Sequence, residues 1–248
     1  WNPWSGLTQY FKTYYSGTIL WLVFLGATFF WFAGAIVQVN VIAHGLDALK
    51  VSDFQTSLLS VAILVGIGTG SLVAGWASGG KIELGLVPIG LAGMMISSLV
   101  LALPGFSYPT TACLLFSIGF FGGFFDVPLM AYLQYAVPNH IRGGMMATLN
   151  IGTSLGILLG GGVCMVAGYL NLTTYHIFLF VGILALATCL YLSLRFPIFV
   201  LRSFLWLLVN TLYRVRVTGR EHVPLQGGAL LVANHTSFVD ALFILASI

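Results

Sequence analysis

The chain has 248 residues, of which 59% are hydrophobic and only 6% are charged, and its mean hydropathy is +1.02. Soluble domains carry about 25% charged residues, so this composition excludes a soluble globular protein and predicts that much of the surface faces lipid. The net charge of +3 is too small to indicate a nucleic-acid partner. Three cysteines lie in apolar runs, which predicts small core residues and neither a disulfide framework nor a metal site: Cys113, Cys164 and Cys189.

Six segments are long and apolar enough to cross a bilayer as helices, which requires about 20 residues each. Short breaks that carry turn and charge signals separate them, whereas transmembrane strands would alternate in hydropathy over about 10 residues. We therefore predict an all-α membrane fold. In chain order the predicted spans cover residues 18–42, 55–78, 84–103, 110–134, 145–168 and 174–196.

The basic residues predict the direction of these spans, because Lys and Arg concentrate in cytoplasmic loops. Only Lys50 falls on the side opposite the other eight. Both ends of the chain are therefore expected in the cytoplasm. The chain opens without an initiator Met and stops within an apolar run, so we expect it to be a fragment of a longer protein. The eight are Lys12, Lys81, Arg142, Arg195, Arg202, Arg214, Arg216 and Arg220.

Glycines recur every four residues in three of the predicted spans. Such a ladder forms a flat stripe on one helix face, where a second backbone can approach closely. The stripes are consistent with packing alone or with sliding surfaces in a transporter that rocks one bundle against another. The ladders are Gly66 and Gly70, Gly119 and Gly123, and Gly152, Gly156 and Gly160.

Asp126 is the one acidic residue deep within a predicted span, two residues before Pro128. A carboxylate at bilayer depth costs about 2.5–3.5 kcal/mol on insertion scales, so it usually faces a cavity or a partner. Asp126 is therefore a candidate for proton coupling or headgroup contact; the alternative is a protonated carboxyl bonded to a neighbouring helix. Four weaker candidates, each also explained as contacts between helices, are Gln38, Asn40, Gln134 and Asn150.

The hydropathy and charge pattern of the chain changes after Pro197. Residues 198–213 are apolar with arginines at the edges, which is typical of an interfacial amphipathic helix. Short strands are predicted at 215–218 and 229–233, and the second would place His235 and Asp240 on a turn before a helix. A His can remove the proton of an attacking hydroxyl, and a carboxylate can fix its tautomer. The pair therefore suits acyl transfer to an alcohol without a serine or cysteine nucleophile.

Three stretches of the membrane part resemble the bacterial lysophospholipid transporter group of the major facilitator superfamily. These are Asn2 to Leu7, Ser78 to Pro88, and Phe124 to Gln134 with the following Pro138 to Gly143. The resemblance covers about residues 1–196 and implies the C-terminal six-helix half of a twelve-span transporter, built from inverted three-helix repeats. Asp126 stands where that group has an apolar residue, so a role for it would be specific to this branch.

The tail resembles the glycerolipid (1-acylglycerol-phosphate type) acyltransferase family. The resemblance rests on Gly219 to Pro224, the glycine pair Gly227-Gly228, the apolar strand and Asn234-His235 to Asp240. It implies that residues 197–248 are the truncated start of an α/β domain, with His235 as general base and Asp240 as its orienting partner. The chain stops eight residues after Asp240, so we expect this piece not to catalyse by itself.

Together the resemblances imply a transporter fused to an acyltransferase. The substrate would be a lysophospholipid, carried across the inner membrane and re-acylated at its free glycerol hydroxyl. The acyl donor would be a thioester of acyl carrier protein or coenzyme A, and we expect no bound cofactor. Two alternatives remain open at this point: a major facilitator permease for another solute, or a membrane-anchored acyltransferase without transport.

Overall fold

A computed structural model describes residues 3–80, 82–195, 197–211 and 232. Within these residues the chain forms eight α-helices and no strand, which confirms the all-α prediction for this part. The predicted strands, His235 and Asp240 lie outside the described residues, Val232 excepted. The helices are α1 (Pro3–Ser16), α2 (Thr18–Ala43), α3 (Asp53–Ala77), α4 (Leu86–Leu101), α5 (Tyr108–Ala136), α6 (Asn139–Tyr169), α7 (Thr174–Arg195) and α8 (Pro197–Thr211).

Five of these helices, α2, α3, α5, α6 and α7, are long and apolar enough to cross a membrane. The segment predicted as a span at 84–103 is shorter than expected, because α4 has 16 residues. At 1.5 Å per residue it is about 24 Å long, less than the roughly 30 Å of a hydrocarbon core. Tight turns at Leu84-Gly85 and after Ala102 take up the remaining length. Ten of the residues of α4 are buried, since α5, α7 and α8 pack around it.

The segment between the first two predicted spans, residues 43–54, is partly helical. The helical path of α2 continues through a π-helical turn, His44–Ala48. Helix α3 then starts at a capping box, in which Ser52 and Gln55 satisfy each other's backbone N–H groups. Polar residues therefore end α2 and start α3 within a few positions.

Consecutive helices of the bundle run in opposite directions, and α4 is no exception. Ser97 of α4 bonds Ser117 of α5 at 2.9 Å, whereas Gly90, earlier in α4, contacts Phe125, later in α5. Helices α4 and α5 are therefore antiparallel. By the same reading of contacts α3 is parallel to α5, α2 is parallel to α6, and α2 is antiparallel to α7. It follows that α2 begins and α7 ends at the same face of the bundle.

The closest helix contact, between α3 and α5, depends on glycines of both helices. Gly66 and Gly70 lie against the backbone of Phe116 and Phe120, and Gly119 lies against the backbone of Ile63. An added Cβ at any of these three positions would overlap a carbonyl oxygen of the other helix. The packing interpretation of these two ladders is thereby confirmed, and their sliding stays a prediction.

The third ladder lies against α2. A Cβ on Gly156 would be 2.8 Å from the carbonyl oxygen of Thr28, and one on Gly160 would be 2.8 Å from that of Phe32. If the six helices are divided into two successive groups of three, α2 corresponds to α5 and α3 corresponds to α6. Under this correspondence the α3–α5 pair becomes the α6–α2 pair. The two parallel contacts are therefore related by the pattern of an inverted repeat of three helices.

Two helices outside the six-helix bundle are anchored to it by hydrogen bonds. The hydroxyl of Tyr14 on α1 donates to the carbonyl of Met145 at 3.0 Å. Burial raises the pKa of Tyr14, so it stays a neutral donor. On α8, the hydroxyl of Ser203 donates to the carbonyl of Gly85, in the turn that precedes α4. The helix predicted at 198–213 is present through Thr211.

The cysteines differ in part from the expectation of core residues. All three are free thiols. Cys164 and Cys189 are half-buried, but Cys113 is exposed on the surface of α5. An apolar run on a lipid-facing helix surface has the same composition as one in the core, so the sequence could not separate the two.

Candidate functional site

Asp126 occupies the side of α5 that faces α2 and α3. Gly122 lies beneath the ring of Phe30 on α2, and Gly123 packs against Ser71 on α3. Asp126 follows these glycines by four and three residues, so helical periodicity places it above both. The residue is half-buried, and its Oδ1 atom is buried without a hydrogen-bond partner among the described residues. A polar atom left in this way at membrane depth is a candidate acceptor for a substrate or a proton.

Pro128 interrupts the backbone hydrogen bonds of α5 beside Asp126. Pro128 lies inside α5 and has no N–H to donate to the carbonyl of Phe124. Gly90 of α4 approaches here, since a Cβ on it would lie 2.9 Å from the carbonyl carbon of Phe124. The small residue therefore allows α4 to close against α5 where the helix ladder is interrupted.

The other polar candidates lie at different levels of the bundle. Because Gly26 is opposite Leu129 and Phe30 is opposite Gly122, Asp126 is level with the middle of that stretch of α2. Gln38 is then roughly 15 Å further along α2 at 1.5 Å per residue. Gln134 is about 12 Å along α5 by the same measure, and it is exposed, as is Asn150. The structure does not bring Gln38 or Gln134 to the level of Asp126, and Asn150 is exposed on α6.

Asn40 belongs to a separate polar cluster between α2 and α7. Its amide donates to the carbonyl of Thr174 at 3.0 Å, while Nδ1 of His44 lies 2.8 Å from the Thr174 hydroxyl. The rings of Tyr175 and Phe178 pack edge-on against His44. The Asn40 side chain therefore joins two helices, which is the contact-between-helices alternative for this residue.

His44 was missed by the sequence argument, although a signal existed. Asn40 and His44 are four residues apart at the end of an apolar helix, a spacing that places two polar groups on one face. The π-helical turn starts at His44, and such turns often occur at functional positions.

An apolar cavity of about 350 Å³ lies between α2, α4, α5 and α7. Gly26, Phe125 and Leu129 form one side of it, and Thr188 and Tyr191 form part of the other. Its chemistry suits a hydrocarbon chain. No group of three or more His, Cys, Asp or Glu side chains suited to a metal occurs in the described ranges.

These helices define a multi-pass membrane protein. The C-terminal residues 214–248 match the family model described as Acyltransferase. The chain is also similar to curated proteins named lysophospholipid transporter LplT. The one from Cronobacter sakazakii is 31% identical over 154 residues, which is 60% of this chain and 37% of the relative. The one from Yersinia enterocolitica is 32% identical over 137 residues, which is 54% of this chain and 33% of the relative.

A third such transporter, from Klebsiella pneumoniae, is 27% identical over 141 residues, 54% of this chain and 34% of the relative. The chain thus spans about a third of the length of the curated relatives it matches. No solved structure matches the chain. The comparisons pair transporter similarity with an acyltransferase match on the tail.

Proposed function

We propose that this chain forms the C-terminal half of a major facilitator transporter for lysophospholipids, joined to the start of a glycerolipid acyltransferase domain. One observation carries the proposal: the acyltransferase match begins at residue 214, three residues after α8 ends at Thr211. Helix α8 is itself bonded to the bundle through Ser203 and Gly85. The order of parts is therefore transporter-like bundle, docked helix and enzyme.

The arrangement of the bundle supports the transporter half of the proposal. Six helices alternate in direction, and the α3–α5 and α2–α6 contacts exchange under an inverted three-helix repeat. That is the construction of each half of a major facilitator protein. Asp126 offers a buried acceptor, and the cavity between α2 and α7 offers apolar space. A lysophospholipid requires both, since it has a charged headgroup and one acyl chain.

The basic residues support an orientation with both ends in the cytoplasm of a bacterium. Lys12 and Arg195 lie near the face where α2 begins and α7 ends, together with Arg142 at the start of α6. Lys50 lies at the other face, beyond the π-helical turn. The excess of positive charge marks the cytoplasmic side, where acyl thioesters are made.

The acyltransferase step uses His235 and Asp240. His235 takes the proton of the free glycerol hydroxyl as its oxygen attacks the thioester carbonyl. The carbon–sulfur bond then breaks, the acyl group forms an ester with glycerol, and the proton leaves with the thiol. Asp240 orients the imidazole and stabilises its charged form. Acyl carrier protein or coenzyme A would supply the thioester.

The test is uptake and conversion of labelled lysophosphatidylethanolamine by cells that express the complete gene product. Accumulation of labelled diacyl phospholipid inside is expected. Uptake without conversion would support a permease without a coupled enzyme, and conversion of internal lipid without uptake would support an anchored acyltransferase. Either result rejects the proposed division of labour.

We expect Asp126→Asn to lower lysophospholipid uptake at least tenfold while re-acylation of lipid supplied on the cytoplasmic side is unchanged. The reason is that the amide keeps the shape of the side chain and removes its charge and its proton equilibrium. Asp53→Asn is the control, because Asp53 is exposed in the first turn of α3. Initial rates of uptake measure the effect, and an unchanged rate in Asp126→Asn would remove Asp126 from the transport path.

A further inference from the structure

Corresponding contacts in the two groups of three helices match each residue of α2 to a residue of α5. In each contact a glycine of α3 lies against α5, or a glycine of α6 lies against α2. The α5 residue has a number 88 higher than its α2 counterpart in all three matched pairs. The pairs are Phe116 with Thr28, Phe120 with Phe32, and Gly123 with Ala35. The inverted repeat therefore has a fixed register along these two helices.

This register pairs Asp126 of α5 with Gln38 of α2. No other Asp, Glu, Asn or Gln residue of the two helices has a polar counterpart. The Gln38 side chain is half-buried, as that of Asp126 is. It has no hydrogen-bond partner within residues 3–80, 82–195 and 197–211, so no hydrogen bond to these helices accounts for its position. The counterparts of Asn40 and Gln134 are Pro128 and Leu46.

Gln38 and Asp126 lie on opposite sides of the middle of the bundle. Helices α2 and α5 are antiparallel, since Gly26 contacts Leu129 and Phe30 contacts Gly122. Residues matched by an inverted repeat therefore lie equally far from the middle, toward opposite faces. The two are separated by roughly 15 Å along α2 at 1.5 Å per residue, so one small group of a substrate cannot contact both at once. Under the orientation proposed above, Gln38 lies in the outer half of the bundle and Asp126 in the inner half.

A hydroxyl group suits both positions chemically. The carboxylate of Asp and the amide oxygen of Gln both accept a hydrogen bond, and a hydroxyl can donate it. A neutral hydroxyl needs no opposite charge at membrane depth, whereas an ammonium group would leave its charge unpaired beside Gln38. A lysophospholipid has one free glycerol hydroxyl, and a diacyl phospholipid has an ester in its place. Recognition of this hydroxyl would therefore exclude diacyl lipids.

We propose, on the basis of the proposed function, that Gln38 binds the free glycerol hydroxyl of the lysophospholipid at a position equivalent to that of Asp126. During uptake the hydroxyl donates first to the amide oxygen of Gln38, in the outer half of the bundle. It then donates to the carboxylate of Asp126, in the inner half. The pair thereby selects lipids with one acyl chain. Both residues are matched through contacts between helices of this chain, which remain whatever covers the outside of the bundle.

Uptake kinetics of the complete gene product in spheroplasts test this role. The two substrates are labelled lysophosphatidylethanolamine and an analogue with hydrogen in place of the free hydroxyl. In the unaltered protein the KM of the analogue should be about tenfold higher, as expected for one lost hydrogen bond. Gln38→Met keeps the length of the side chain and removes its acceptor. It should raise the KM of the natural substrate about tenfold and leave that of the analogue unchanged.

Gln134→Met is the matched control and should leave both KM values unchanged, because Gln134 is exposed and its counterpart is apolar. The KM does not depend on how much protein folds, so reduced expression of a variant cannot mimic the result. An unchanged KM for the natural substrate in Gln38→Met, an equal rise for both substrates, or complete loss of uptake of both would overturn the role of Gln38. No uptake by the unaltered protein would reject the proposed function, and this role with it.

Discussion

Gly70→Leu is expected to prevent the six-helix bundle from assembling. Any Cβ at this position overlaps the carbonyl oxygen of Phe120, a backbone atom that no rotamer change can move. The neighbouring contacts of Gly66 and Gly119 are equally close, so α3 and α5 must separate along their length to admit a side chain. We expect destabilisation above about 4 kcal/mol, the range of severe overpacking. Thermal unfolding and size-exclusion chromatography in detergent measure it.

The control for this experiment lies on the same helix. Gly68 and Gly75 have open space where a Cβ would be built, and neither has a positive φ. Gly68→Leu and Gly75→Leu therefore add the same side chain to α3 without a clash. Both should melt near the temperature of the unaltered chain, and a helix interior gains up to about 1 kcal/mol when Gly is replaced. A stable, monodisperse Gly70→Leu protein would show that the α3–α5 contact is wrong.

The other large effect expected is the loss of re-acylation in His235→Ala. Removing the base leaves the glycerol hydroxyl protonated as it attacks, and general base catalysis contributes about 10²–10⁴-fold. The variant should be made in the complete gene product, because this chain spans only about a third of the length of the curated relatives it matches. The measurement is the rate of diacyl phospholipid formation from labelled lysophospholipid and acyl thioester in membranes.

His222→Ala is the matched control, since His222 belongs to the same segment and has no role in the proposed chemistry. It should keep the rate. Uptake of lysophospholipid should persist in His235→Ala, because the transporter half does not contain this residue. Loss of uptake together with acylation would contradict the proposed division between the two halves, and normal acylation would exclude His235 as the base.

Composition and hydropathy were sufficient to predict a helical membrane protein, because each long helix is apolar over most of its surface. They could not predict the length of α4. Leu84 to Leu103 is apolar apart from Ser97 and Ser98. The turn before α4, however, depends on Glu83, whose carboxylate accepts from the Gly85 N–H, and on the docking of α8 through Ser203. A hydropathy pattern contains neither contact.

The candidate site was predictable in part. Asp126 stood out because a single acidic residue in an apolar run is rare, and its unpartnered oxygen is consistent with that choice. Asn40, Gln38, Gln134 and Asn150 were selected on residue type alone, so their depth and facing were unknown. The depth and orientation of such a side chain depend on residues that are distant in the sequence. For example, the Asn40 amide donates to the carbonyl of Thr174, which is 134 positions along the chain.

The bond between Ser203 and the turn at Gly85 has a kinetic consequence for the proposed enzyme. The two residues between Thr211 and Arg214 can extend at most about 11 Å at roughly 3.6 Å per residue step. The start of the acyltransferase match is thus tethered within a short radius of the bundle. A tether of this kind acts as an effective concentration in the millimolar range. Under the proposed function, the acyltransferase domain would therefore remain beside the bundle that delivers its substrate.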